Sequence, residues 1–356
     1  MKSFKKLLFL LTIKERKDAV TLMILILLMA LLDTIGVASI LPFVTVLVNP
    51  ELIESNFILI RLFQITNIFG VENEQQFLFV LGLFVLILLI ISLSFKSLTT
   101  YFQVQFTQMS EYSLAKRLIE GYLHQPYIWY LNRNSAELGK RILSEVGQVI
   151  GGGLTPLIEI VSKSTIAIGL IILLIIADPK LALIVGFSLS ISYGLIYYFI
   201  SSHLKLIGKQ RLKNNELRFG IINEVFGAAK EVKIGNLEKF YVNRFSKAAK
   251  SFAQNQATLT VLAYLPRYIL EALAFGGILL IILYVLSQTG DFNNSLPIIS
   301  LYVFAGYRLM PSLQQVYSAS AILTFTRPSL DQIYDDLKNL KPAILNCDEN
   351  SFEFKK

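Results

Sequence analysis

Charged residues are scarce in this sequence. They make up 16% of its 356 residues, whereas hydrophobic residues make up 54%. A soluble domain of this size carries roughly a quarter charged residues. The mean hydropathy is +0.58. Because so little charge cannot cover a water-exposed surface, we predict a membrane protein.

Cysteine and histidine are almost absent. Cys347 is the only cysteine, which excludes an intramolecular disulfide and a cysteine-based metal site. The two histidines, His124 and His203, lie far apart and have no neighbouring ligands at metal-binding spacing. We therefore expect no metal site and no catalytic residue in this chain.

A phosphate-binding loop of the form Gly-x-x-x-x-Gly-Lys is also missing. Asn134 stands in the first glycine position before Gly139-Lys140, and His203 does so before Gly208-Lys209. The run Gly151–Gly153 has no lysine after it, so a flexible break or close helix packing explains it better. ATP binding therefore cannot be assigned to this chain, and no cofactor site is predicted in it.

Six long apolar runs alternate with polar loops. Each is long enough to cross a hydrocarbon core of roughly 30 Å. The first is too long for a signal peptide and lacks a cleavage pattern, so we expect it to be retained. The predicted spans are Ala19–Val48, Gln76–Thr107, Gly151–Ala177, Leu181–Ser202, Leu259–Ser287 and Leu296–Phe325.

The basic residues lie on one side of these spans. Of the 33 lysines and arginines, six fall in 2–17, five in 109–150, eleven in 203–257 and five in 326–356. Only Arg61 and Lys180 fall in the alternate loops. From this asymmetry we predict that both termini and the two long loops lie on the cytoplasmic side of a bacterial inner membrane. The net charge of +8 is therefore explained by membrane topology, and it does not indicate nucleic-acid binding.

The two long inner loops have helical patterning. Apolar residues recur at spacings of three and four within Gln210–Leu237 and around Leu114–Tyr122. We expect the membrane helices to continue past the bilayer as cytoplasmic extensions. Pro126 and the Gly227/Gly235 region are the predicted breaks, where each extension turns through a short transverse helix.

Two peripheral segments carry weaker patterns. The outer loop Asn49–Asn73 is apolar enough either for an amphipathic helix on the outer bilayer face or for an ordinary helix packed on the spans. After Phe325, Leu330–Leu340 is predicted to be a helix leaving the membrane, ended by Pro342. Ser351–Lys356 alternates like the start of a β-strand, so we expect a further soluble domain to follow.

Five segments in this order and topology resemble one family, the transmembrane half of ABC exporters. They resemble most its bacterial branch that flips lipid-linked oligosaccharides in protein glycosylation. The segments are Leu31–Leu47, Ile222–Phe245, Leu265–Gly277, Tyr307–Ser312 and Arg327–Leu337.

The resemblance implies an all-α membrane protein with six transmembrane helices and two coupling helices, near Tyr127–Leu138 and Ala228–Leu237. Residues 1–327 would form the transmembrane domain, and 328–356 the exit helix and linker to a nucleotide-binding domain missing from this chain. That domain, fused or separate, would bind ATP and Mg²⁺, so ATP hydrolysis would require it. The family also implies a homodimer.

The resemblance further implies a substrate site. Arg308, Arg267 and Lys96 correspond to basic residues that line the family's cavity, where they would hold the pyrophosphate of a polyprenyl-linked glycan. Gln315 stands where the family has a further arginine, so a different anionic lipid is also compatible.

Ionisable residues within the spans have structural alternatives. Arg308 lies about 18 Å into its span at about 1.5 Å per residue, near mid-membrane, where a cross-helix pair with Asp33 is the alternative. The pairs Glu159–Lys163 and Arg267–Glu271 have a spacing of four and could neutralise each other.

The sequence is compatible with other functions as well. The chain could export another amphipathic lipid or a peptide. A self-contained secondary transporter would show inverted helix repeats, and none is evident. A membrane-bound glycosyltransferase would need clustered carboxylates or histidines near one membrane face, and the sequence has no such cluster.

Overall fold

The computed structural model describes residues 2–48, 60, 61, 63, 64, 73–131, 133, 135–177, 179–289 and 292–340. Every regular element among these residues is helical, which confirms the predicted all-α fold. The helices are α1 (Lys2–Leu10), α2 (Ile13–Ala38), α3 (Ile40–Val48), α4 (Glu74–Leu123), α5 (Tyr127–Leu131), α6 (Ser135–Lys140), α7 (Val146–Val149), α8 (Thr155–Ala177), α9 (Pro179–Gly227), α10 (Ala229–Ile234), α11 (Glu238–Thr289) and α12 (Phe292–Asn339). Two π-helical segments, Arg141–Glu145 and Ile150–Leu154, flank α7.

Four helices are much longer than a membrane is thick. α4, α9, α11 and α12 have 50, 49, 52 and 48 residues. At about 1.5 Å per residue each is roughly 75 Å long, more than twice a hydrocarbon core of about 30 Å. The predicted helical extensions are therefore present. We call residues 109–150, 203–257 and 326–340 the stalk.

Each of the six predicted spans lies in the helices of the structure. Among the described residues, three stretches are long and apolar enough to cross a membrane: Ile13–Leu47, Gln75–Leu123 and Ala136–Ile176. They contain the first three predicted spans almost completely. The other three predicted spans lie within α9, α11 and α12.

The first span differs from its prediction because it consists of two helices. α2 begins with a capping box, in which the Thr12 side chain accepts from the Glu15 backbone and the Glu15 side chain accepts from the Thr12 backbone. It ends at Ser39, and α3 follows directly. Pro42 lies in the first turn of α3, where its missing N–H is tolerated, whereas in the interior of a continuous helix it would remove a hydrogen bond.

α12 forms the centre of the packing. One face contacts α2 and α8, where Leu309 is buried in a cluster with Met29, Ile166 and Leu170. The opposite face contacts α9 and α11, where Phe325 is buried against Leu204 in a second cluster. Motion of α12 is therefore coupled to both helix groups.

Two glycines allow close approach to α12. A Cβ on Gly208 of α9 would overlap the backbone carbonyl oxygen of Phe325, and a Cβ on Gly152 would overlap Thr326 Oγ1. Gly152 belongs to the Gly151–Gly153 run, for which close packing was one of two predicted explanations. The contact of Gly152 with Thr326 supports close packing, and Ile150–Leu154 forms a π-helical turn.

Two predicted elements lie outside the described residues. They are most of the outer-loop helix within Asn49–Asn73 and the strand at Ser351–Lys356. The exit helix is described: α12 runs without interruption from the membrane region to Asn339, across the expected boundary at residue 327.

Candidate functional site

Arg267, one of the three predicted substrate-binding residues, lies on α11 directly after Pro266. Its Nε is 3.7 Å from Glu271 Oε2, so the predicted pair with a spacing of four is formed. Both side chains are exposed, by 54% and 42%. A long and exposed contact of this kind contributes little free energy and leaves the guanidinium open to a ligand.

Lys96 lies on α4 with its side chain partly buried. It interacts electrostatically with Lys163 of α8, and Lys163 also interacts with Glu159. Two ammonium groups and one carboxylate on α4 and α8 thus influence one another electrostatically. An anionic group nearby would reduce the repulsion between the two lysines.

Arg308 lies within α12, but its side chain is outside the described residues, and so is the predicted pair with Asp33. Asp33 itself is buried on α2 and accepts a hydrogen bond of 3.3 Å from Ser92 Oγ of α4. Gln315, two turns further along α12, is exposed. Asp33 therefore helps to join α2 and α4.

Pro266 also affects the contact between α11 and α12. Proline has no N–H, so the carbonyl of Leu262 one turn earlier loses its usual donor within the helix. The hydroxyl of Tyr317 on α12 donates to that carbonyl at 3.2 Å. The bond connects α12 to α11 next to Arg267.

The stalk ends in two short helices, α5 and α10, at the positions where breaks were predicted. α5 has no buried residue, and Tyr127, Ile128 and Leu131 expose 77%, 69% and 65% of their surface. On α10, Ile234 is 75% exposed. Apolar side chains this exposed indicate a surface that another protein covers.

Aromatic packing holds α5 in place. The Trp129 ring lies 5.5 Å from the Tyr122 ring at the end of α4, and Arg133 lies over the Trp129 ring at 4.3 Å. The Tyr130 hydroxyl donates to the Tyr122 carbonyl at 2.6 Å. α5 is therefore firmly attached to the stalk although its outer face is exposed.

α10 is held by its turn residues. Asn236 has a φ of 51°, in the left-handed region, and the N–H of Leu237 donates to the Val232 carbonyl at 3.0 Å. Lys233 and Glu238 form an exposed ion pair of 2.9 Å, which lowers the pKa of the Glu238 carboxyl. Both side chains are exposed, so the pair is typical of a solvated helix face.

A buried polar network joins three helical segments of the stalk. Glu145 is fully buried, and its two carboxylate oxygens accept from Arg211 Nη1 at 2.7 Å and from Asn215 Nδ2 at 2.8 Å. Arg211 also donates to Ser329 Oγ of α12 at 3.3 Å. Because a buried charge without its partner is costly, this network fixes α9 and α12 relative to the π-helical segment.

A second network lies nearer to α5. Arg141 forms ion pairs with Glu137 and with Asp336 of α12. The Tyr122 hydroxyl donates to the other Asp336 oxygen at 2.9 Å. Burial and the neighbouring Asp336 charge raise the pKa of Tyr122, which therefore stays protonated as the donor.

Neither network has a recognisable pattern in the sequence. Only Glu137 and Arg141, four residues apart on one helix, carried a local signal. The other partners are distant in sequence. Glu145 pairs with Arg211 and Asn215, and Arg211 with Ser329. Arg141 pairs with Asp336, and all of these contacts form only through tertiary packing.

The family comparison agrees with this architecture. A family model described as the ABC transporter transmembrane region matches residues 55–312, well over half of the chain. The chain belongs to this family. It is thus the membrane part of an ABC exporter, a multi-pass membrane protein that works with a nucleotide-binding partner. Within the described residues no group of three or more His, Cys, Asp or Glu side chains could hold a metal ion.

Membership of the ABC transporter family gives the stalk a physical role. Nucleotide-dependent movement must reach the membrane helices through rigid elements. The described stalk tips contain the short helices α5, α6 and α10, and the buried Glu145 lies in sequence between α6 and the third span.

Proposed function

We propose that this ABC transporter transmembrane region is half of an ATP-driven flippase that works as a homodimer. Its substrate is a polyprenyl-pyrophosphate-linked glycan or a related anionic glycolipid. It lies in a bacterial inner membrane with both termini in the cytoplasm. Residues 1–327 form the membrane domain, and 328–356 lead to the nucleotide-binding domain, which supplies ATP and Mg²⁺ binding in cis or in trans.

The observation that supports the substrate most is the exposed Arg267 on a membrane-spanning helix. A cation within a membrane span is costly unless it faces water, a cavity or a partner. Its contact with Glu271 is 3.7 Å long and half-exposed, which is a weak partner. A guanidinium in this state suits phosphate oxygens, which it can bind with two parallel hydrogen bonds.

Lys96 and Arg308 complete the proposed cationic lining. Lys96 already lies close enough to Lys163 for mutual repulsion. A pyrophosphate between such groups would offset both that repulsion and its own desolvation. The polyprenyl tail can stay in the bilayer while the charged head crosses.

The substrate proposal is tested by ATP-driven movement of the lipid-linked glycan in proteoliposomes. Arg308→Ala and Arg267→Ala should each reduce the rate at least about tenfold, as for loss of a charge-assisted hydrogen bond, and should leave basal ATP hydrolysis largely intact. Lys209→Ala, on the exposed stalk surface, is the matched control and should transport normally. Wild-type rates in both arginine variants would overturn the pyrophosphate assignment.

We further propose that α5 and α10 are the coupling helices that seat in the nucleotide-binding domain. Replacing an exposed apolar side chain there by a charge should weaken docking. Ile128→Glu and Ile234→Glu are the test variants, and Tyr112→Glu, equally exposed on α4 but earlier in the stalk, is the control. Unchanged ATP-driven transport in both tip variants would contradict this role.

A second candidate is an exporter of another amphipathic lipid or a peptide. The observation in its favour is Gln315, which is exposed on α12 where the similar flippases have an arginine. Competition by such compounds in the same transport assay would distinguish the two substrates.

A further inference from the structure

A cavity lies beneath α1, and neither Arg267 nor Lys96 is among its lining residues. It has a volume of about 200 Å³ and is enclosed by α1, α2, α4 and the start of α8. All of its lining residues except Arg16 are apolar, and they include Leu7, Leu11, Ile26, Phe106 and Ile158. An apolar cavity of roughly 150 Å³ can hold a benzene ring, so this one has room for part of a hydrocarbon chain.

The cavity lies at the depth of the membrane boundary. It contacts residues at the basic end of three predicted spans, namely Ala19 of α2, Phe106 of α4 and Leu157 of α8. The preceding segment 2–17 is basic. The mouth is therefore where lipid headgroups begin, and the interior is where acyl chains lie.

Arg16 is positioned at the mouth. Its Nε donates to the Leu8 carbonyl at 3.0 Å, which holds the side chain between α1 and α2. Within the described part of the chain its two Nη atoms have no hydrogen-bond partner. Since the side chain is exposed, these two donors can bind an anion from outside.

The surrounding charges favour an anion. Lys5, Lys14 and Lys17 are exposed in the same segment. Of the two carboxylates, Glu15 accepts from the Thr12 N–H at 2.7 Å and is occupied by the helix cap. Asp18 is exposed and offsets one lysine, so a net positive charge remains around Arg16.

We propose that this cavity is a binding site for an anionic phospholipid of the leaflet on the basic side. One acyl chain enters the apolar cavity, and the phosphate binds the Arg16 guanidinium. A free phosphate would leave the cavity unused, and a zwitterionic lipid would bring its cationic headgroup amine next to the lysines around Arg16. The two features together select an anionic lipid. The site is separate from the substrate cavity and does not depend on the transported compound.

The test is lipid titration of the purified protein, followed by native mass spectrometry. Dioleoyl phosphatidylglycerol should bind about tenfold more tightly than dioleoyl phosphatidylcholine. Arg16→Gln should remove most of this preference. Lys209→Gln, an exposed cation of the stalk outside the segment 2–17, is the matched control and should retain it. Equal losses in both variants would show general surface attraction and overturn the site.

Two measurements on the wild-type protein test the cavity itself. A phosphatidylglycerol with a diazirine on its acyl chain should cross-link to the cavity-lining residues of α1 and α8. Cross-links spread evenly over the exposed membrane faces would overturn the proposal. Inorganic phosphate should not compete with the lipid, and full competition by phosphate would show that the cavity does not take part.

Discussion

The hydroxyl of Tyr317 donates a hydrogen bond of 3.2 Å to the backbone carbonyl of Leu262. The carbonyl is open to this donor because the residue four positions later is Pro266, which has no N–H. The bond therefore connects α11 and α12 at the one place in the described part of α11 where a proline interrupts the backbone hydrogen bonds. It lies about one helical turn from Arg267, so it positions the helix that carries the proposed substrate-binding arginine.

Replacing Tyr317 by phenylalanine should leave the Leu262 carbonyl without a donor. The expected loss is about 1–3 kcal/mol of unfolding free energy, measured by thermal unfolding in detergent. In a Pro266→Ala background the backbone gains an N–H at position 266 that can serve the carbonyl, so the same change should cost much less. An equal loss in both backgrounds would show that the tyrosine stabilises the protein in another way.

Gly208→Ala should destabilise the contact between α9 and α12, because the new methyl group overlaps the Phe325 backbone, which cannot rotate away. Gly220→Ala on the same helix is the control, since a Cβ there meets nothing within 4 Å. Because Gly220→Ala removes a glycine from the interior of a helix, it should raise the free energy of unfolding by roughly 0.5–1 kcal/mol. Melting temperatures that shift in the same direction in both variants would contradict the close packing.

Arg211→Met should cost about 3–5 kcal/mol of stability because it leaves the buried Glu145 carboxylate without its main partner. The matched control is Arg244→Met. The Arg244–Glu224 pair has a similar length, 2.9 Å, but its side chains are 46% and 45% exposed, against 5% and 0% for Arg211–Glu145. The control should cost less than about 1 kcal/mol. If denaturant titrations gave comparable losses of unfolding free energy for the two variants, the buried network would not have the structural role proposed for it.

The proposed topology can be measured by cysteine labelling. Single cysteines at Glu54, Asp291 and Lys247 in a Cys347→Ser background would be treated with an impermeant maleimide in intact cells. Positions 54 and 291 should react from outside, and position 247 should react only after lysis, because basic loops stay in the cytoplasm. Labelling of position 247 alone in intact cells would show that the orientation is the reverse of the one proposed.

The sequence predicted those features that depend on local pattern. Apolar runs predicted the spans, and Pro126 and the Gly227/Gly235 region marked the ends of the stalk helices α4 and α9, because these signals act over a few residues. The break at Ser39 was missed, since Pro42 lies inside an otherwise uninterrupted apolar run. The Glu145–Arg211 and Leu262–Tyr317 contacts were missed because their partners are brought together only by packing.

Only part of the candidate site could be predicted from the sequence. The Arg267–Glu271 pair follows from helical spacing and is present. The electrostatic interaction between Lys96 and Lys163 involves two different helices, so it has no local signature in the sequence.

If the proposed function is correct, this transmembrane region moves its substrate with energy from ATP. The most direct measurement follows a fluorescent polyprenyl-pyrophosphate glycan in proteoliposomes that contain the chain and its nucleotide-binding domain. Movement across the bilayer should require hydrolysable ATP, stop with a non-hydrolysable analogue, and be unaffected by collapse of ion gradients. Movement driven by an ion gradient without ATP would contradict the account and identify a secondary transporter.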